Sequence, residues 1–148
     1  MSVLVLGCGR TGTNMLLEIL RASNQLHATS VAEDKQVFHR NEPLPAEYLS
    51  KCDTVYVPDV GLARQLLDNH ELKILWTIRD LRDTALSKIY RGQPGQDSPR
   101  LSDDASHDGC VSDIQWMYKV YSFIKANYPE RILVVKMEEV ILNFEKTI

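Results

Sequence analysis

The residues best suited to chemistry stand near the start of the chain. Gly7-Cys8-Gly9-Arg10-Thr11-Gly12 separates an apolar run, Ser2-Val3-Leu4-Val5-Leu6, from a helix-like stretch opening with Thr13-Asn14-Met15-Leu16-Leu17. Unpaired N–H groups at a helix start, with the helix dipole behind them, attract an anion, and glycines let it approach the backbone closely. This arrangement predicts a ligand that carries phosphate. A carboxylate, Glu33, follows the second candidate strand, Thr29-Ser30-Val31-Ala32. Open parallel sheets gather their ligands at the C-terminal edge of the strands, which makes Glu33 a second candidate site residue.

These groups need a scaffold, and the hydrophobic pattern supplies one. Leu16, Leu17, Ile19 and Leu20 give the first helix an apolar stripe that ends near Ser23-Asn24. Residues 35–50 carry Pro43 and Pro45 without clear periodicity and read as a surface excursion that can border an acceptor pocket. Asp53-Thr54-Val55-Tyr56-Val57 reads as a third strand stopped by Pro58, and residues 60–70 as a helix with Leu62, Leu66 and Leu67 inward. Lys73-Ile74-Leu75-Trp76-Thr77-Ile78 is a fourth strand, apolar nearly throughout, as expected of a sheet covered on both faces. Residues 79–87 then turn into a helix that Asp80 or Asp83 can cap. Residues 92–109 are rich in breakers and read as a lid or loop, residues 112–127 as a helix, residues 131–136 as a fifth strand, and Glu138 opens a last helix. Strands alternating with helices predict a three-layer α/β domain: a mainly parallel sheet of about five strands with helices on both faces.

Composition narrows the function. A chain of 148 residues fits a single domain over residues 1–148 with a real core. Its formal net charge of -3 argues against a general nucleic-acid binder. Cys8, Cys52 and Cys110 are odd in number and widely spaced, with no metal-ligand pattern, so reduced thiols in a cytoplasmic protein are expected. No apolar stretch approaches the roughly 20 residues that span a bilayer, and no membrane partner is expected.

Three readings compete for the glycine loop. Gly7, Gly9 and Gly12 satisfy the dinucleotide GxGxxG pattern, with Glu33 about 20 residues on, where a ribose-binding acid belongs. That reading gives an NAD-linked oxidoreductase. A Walker loop would require Lys-Ser/Thr where Thr13-Asn14 stand, which argues against nucleoside-triphosphate hydrolysis. The third reading is a resemblance to a family. Gly9-Arg10-Thr11-Gly12-Thr13 resembles the 5′-phosphosulfate loop of sulfotransferases that use 3′-phosphoadenosine 5′-phosphosulfate. The stretch from Trp76 through Arg79 to Ser87 is similar to that family's 3′-phosphate segment, and Ile132 to Val140 to its late strand followed by an acidic pair. The three matches fall in the family's order along the chain.

The resemblance implies a P-loop-like fold and an in-line transfer of a sulfuryl group to a hydroxyl or amine acceptor, a small molecule or a glycan. It assigns Gly9, Arg10, Thr11, Gly12, Thr13 and Asn14 to the 5′-phosphosulfate, and Arg79 with Ser87 to the 3′-phosphate. Arg10 would hold the leaving phosphate and sulfuryl oxygens; permanently charged, it cannot be a proton donor. Glu33 resembles the family's glutamate base, with His39 as the alternative, and no metal is required. Three departures stand out. Asn14 replaces the second Thr of the loop, Leu81 stands where Pro is frequent, and Ile148 comes before any Gly-rich basic C-terminal segment. A non-catalytic nucleotide-binding fragment is therefore a further alternative.

Overall fold

The structure is a computed structural model that describes residues 2–23, 33–91 and 107–143. Four parallel strands, β1 (Ser2–Gly7), β2 (Leu49–Asp53), β3 (Leu72–Ile78) and β4 (Ile132–Lys136), form one sheet in the order β2-β1-β3-β4. Val3 to Leu6 of the interior strand β1 are buried because helices cover both faces of the sheet. On one face Val3, Val5 and Leu49 pack against Leu16 and Leu17 of α1 (Thr13–Ala22). On the other, Leu4, Leu6, Ile74 and Trp76 pack with Ala63, Leu66 and Leu67 of α2 (Val60–Asn69). Met117, Val120 and Ile124 of α4 (His107–Asn127) complete that core. α3 (Leu81–Arg91) follows β3, and α5 (Met137–Leu142) follows β4 directly.

The three-layer α/β architecture agrees with the sequence pattern. The described residues hold four strands; the expected strand Thr29-Ser30-Val31-Ala32 lies outside them, as do residues 92–106 and 144–148. Next to that gap, Glu33 forms an isolated parallel bridge with Lys51, on the outer side of β2. Among the described residues no helix is long and apolar enough to cross a membrane.

Two expectations need correction. The strand expected at residues 53–57 ends where it was to begin: β2 runs Leu49–Asp53, and Thr54–Tyr56 form a 3-10 turn. Asp53 causes this, since its carboxylate accepts the Val55 N–H at 3.1 Å and bends the chain. Trp116 then fixes the turn against α4, its indole N–H donating to the carbonyls of Thr54 and Val57. Residues 35–50 are likewise not a plain surface excursion. Val37, Phe38 and Tyr48 are buried, and Asp34, itself buried, gathers Arg40 at 2.8 Å, the Tyr48 hydroxyl at 3.1 Å and the Gln36 N–H at 3.1 Å. Burial and the Asp34 charge push the Tyr48 phenol's pKa up, so it serves as a donor to that carboxylate.

Candidate active site

The loop after β1 is shaped by close contacts that exclude larger residues. A Cβ at Gly7 would lie 2.2 Å from the Thr77 hydroxyl of β3 and 2.7 Å from that of Thr11. Thr11 donates its hydroxyl to the Cys8 carbonyl at 2.6 Å and meets the Thr77 hydroxyl at 2.7 Å. A buried hydroxyl pair thus ties the loop to the neighbouring strand. Gly12, with φ 92°, is the N-cap of α1, and a Cβ there would also meet Met137 at 2.8 Å. Arg10 has φ 75°, a left-handed conformation that costs a non-glycine residue about 1–2 kcal/mol. Backbone conformations of this kind cluster at active sites and ligand clamps.

The electrostatics of the loop favour an anion. No side chain caps α1 and no acid stands in its first turn. The N–H groups of Thr13, Asn14 and Met15 have no carbonyl within the helix to bond, so this helix end carries positive partial charge. Thr13 is half-buried and Asn14 exposed, beside those donors.

The second turn lies at the end of β3. Asp80 caps α3, accepting the Arg82 N–H at 2.8 Å, and also grips the Arg82 guanidinium at 2.8 and 3.1 Å. Those bonds to Arg82 hold the Asp80 carboxyl down at a pKa of about 2. Arg82 is therefore bound within its own turn. Arg79 makes a longer ion pair with Asp83, 3.6 Å, and shares with Thr11, Trp76, Ile78, Tyr118 and Tyr121 the wall of a cleft of about 160 Å³. The loop is joined to α3, the helix that follows the second turn, where Arg10 Nε donates to the Ser87 hydroxyl at 2.8 Å. Residues 77 positions apart in sequence are thereby brought together.

Glu33 is placed differently. Its bridge to Lys51 sets it beyond β2, two strand spacings or about 10 Å from β1, and its carboxylate pairs with the Lys51 ammonium at 3.3 Å. The strand adjacent to β1 ends instead in Asp53, in register with Gly7. Asp53 is thus the carboxylate that the sheet sets beside the start of the loop. His39 ends a short 3-10 turn and is exposed.

Sequence reading also missed the supports of the site: Thr77, Met137 and Glu138. Thr77 had a signal, a hydroxyl in an otherwise apolar strand end. Met137 had none, because a methionine after a strand reads as core. Glu138 belongs to the acidic pair, but its contact, accepting the Asp80 N–H at 2.7 Å, joins residues 58 apart.

Comparison with known proteins bears on the fold and the family. Among curated proteins none matches the chain significantly. Among solved structures, a mouse sulfotransferase crystallised in complex with PAP superposes with a TM-score of 0.64 at 16% identity, over 99% of this chain. The present chain spans 55% of the length of that protein. The sulfotransferase domain family matches residues 1–148. With a parallel sheet, a glycine loop opening onto an uncapped helix and a second arginine turn beside it, this chain belongs to the sulfotransferase domain family.

Proposed function

We propose that this chain transfers a sulfuryl group from 3′-phosphoadenosine 5′-phosphosulfate to a hydroxyl or amine on a small-molecule or glycan acceptor. The observation that carries the reading is the Arg10–Ser87 hydrogen bond, which sets the loop and the α3 turn side by side. A nucleotide with phosphate at both its 5′ and 3′ positions needs two adjacent anion sites, and these two turns supply them. A dinucleotide site predicts no such second turn, and Glu33 is paired with Lys51 on the far side of β2.

The donor brings an activated sulfuryl group attached to a phosphate leaving group. Arg10 and the first-turn N–H groups of α1 neutralise and orient the 5′-phosphosulfate, with Thr13 and Asn14 supplying side-chain donors. Gly9 and Gly12 allow the backbone approach. Arg79 offers a planar fork to the 3′-phosphate, with Ser87 donating from α3. The acceptor's proton goes to a carboxylate on the β2 side of the loop. The family resemblance favours Glu33, while the register with Gly7 favours Asp53.

The first test is thermal stabilisation by 3′-phosphoadenosine 5′-phosphate (PAP), NADH and ATP at equal concentration. PAP gives the largest rise in Tm; a larger rise with NADH overturns the proposal. Sulfuryl transfer lost in Glu33→Gln but retained in Asp53→Asn assigns the base to Glu33, and the converse to Asp53.

A further inference from the structure

We propose that Glu138 is a positioning residue that sets the spacing between the two anion-binding turns, so that the site discriminates a 3′,5′-bisphosphorylated nucleotide from one phosphorylated at the 5′ position alone. The inference rests on the nucleotide reading above.

The geometry behind it is a clamp formed by two consecutive residues. Met137 is buried, and its thioether lies directly over the Gly12 backbone, close enough that a Cβ on Gly12 would meet Met137 Cγ and Cε at 2.8 Å. The next residue, Glu138, accepts the Asp80 N–H at 2.7 Å. That N–H belongs to the peptide unit joining Arg79 to Asp80, so the bond fixes the plane through which Arg79 leaves β3. Consecutive residues of one helical turn do not move independently. The loop that carries Arg10 and the turn that carries Arg79 are therefore both referred to the start of α5. The clamp also sits at a defined point of the sheet, because Lys136, the residue before Met137, is in register with Ile78, the residue before Arg79.

The neighbouring acid has a different partner. Glu139 pairs with Lys136 at 3.1 Å, so only Glu138 of the acidic pair turns toward Asp80. Glu138 bonds a backbone N–H and no guanidinium at this turn, leaving Arg79 to its long contact with Asp83. Its effect on a bound nucleotide is consequently indirect. It holds the Arg79 turn at a set distance from the loop, and misplacement of a positioning group costs affinity without any contact to the ligand being deleted.

The experiment is calorimetric titration of PAP and of adenosine 5′-monophosphate into the full chain and into Glu138→Ala and Glu138→Gln. The unsubstituted chain binds PAP more tightly than the monophosphate. Glu138→Ala weakens PAP about fivefold, the scale of one ordinary hydrogen bond, and leaves the monophosphate unchanged. Glu138→Gln keeps an acceptor oxygen and recovers most of the loss. A merely structural role would weaken both nucleotides together or neither, and either result overturns the inference. An unsubstituted chain without preference for PAP overturns the nucleotide reading itself, and this inference with it.

Discussion

Two arginine environments within this small fold teach opposite lessons. Arg40 is half-buried and bound at 2.8 Å to Asp34, which is 4% exposed and also bonded to Tyr48. Arg10 stands exposed in a left-handed conformation, donating to the neutral hydroxyl of Ser87, and Arg79 holds its aspartate only at 3.6 Å. In the first region a buried carboxylate fixes the cation, whose loss would leave that carboxylate uncompensated. In the second, the cations border a helix end that itself lacks an acid. Arg40 thus organises the chain between Glu33 and β2, whereas Arg10 and Arg79 are the arginines proposed above to meet the phosphates of a nucleotide.

Substitutions can break or sharpen this contrast. The largest effect is expected on catalysis. Arg10→Ala lowers kcat for sulfuryl transfer by about 10²–10³-fold, the scale seen when one preorganised transition-state donor is removed, while Tm stays near that of the unsubstituted chain. A large fall in Tm would place Arg10 in the structural class and erase the contrast. Asp34→Ala shows the reverse pattern. It destabilises by about 3 kcal/mol in denaturant unfolding, because Arg40 and the Tyr48 hydroxyl lose their shared partner, while PAP affinity per folded molecule is kept.

Gly12→Ala combines the two regimes, with a strained φ of 92° and a clash against Met137. A cost of about 1–2 kcal/mol from the backbone alone is expected in unfolding experiments, together with weaker PAP binding. In a Met137→Ala background, where the clash is relieved, Gly12→Ala shows only the backbone cost relative to Met137→Ala alone. The smallest effect is at Arg82. Arg82→Ala leaves stability close to that of the unsubstituted chain, as expected for an exposed ion pair. It does remove the guanidinium from Asp80, whose carboxyl rises from about 2 part of the way toward its ordinary 3.8, the Arg82 backbone N–H still donating to it. Because that pKa is depressed, the stabilising bonds of Asp80 are fully present above about pH 4 and are lost as pH falls through about 2. Carboxylate chemical shifts followed by NMR across this range report the change.

The regions also differ in how far they could be read in advance. Around the proposed anion site, the apolar run of β1, the three glycines and Arg79 followed by Ser87 are all local in sequence, and each prediction needs a window of about a dozen residues. Between Glu33 and Tyr56 the local pattern misled. Ser50 is polar yet wholly buried in β2, and Val55 and Tyr56 favour a strand but lie in a turn that Asp53 imposes. Strand propensity yielded there to one side-chain hydrogen bond and to the indole of Trp116, a residue 62 positions from Thr54.

By itself, then, the sequence determined the α/β class, the glycine loop at a helix start and the residue types offered to an anion, because these depend on hydrophobic period and backbone permissiveness over short spans. The tertiary structure alone decided which of those residues meet. Strand order placed Glu33 beyond β2 and Asp53 beside Gly7, the Arg10–Ser87 bond joined two turns far apart in the chain, and Met137 with Glu138 keyed both turns to α5. Such contacts are fixed by register and crossover, which no local pattern encodes.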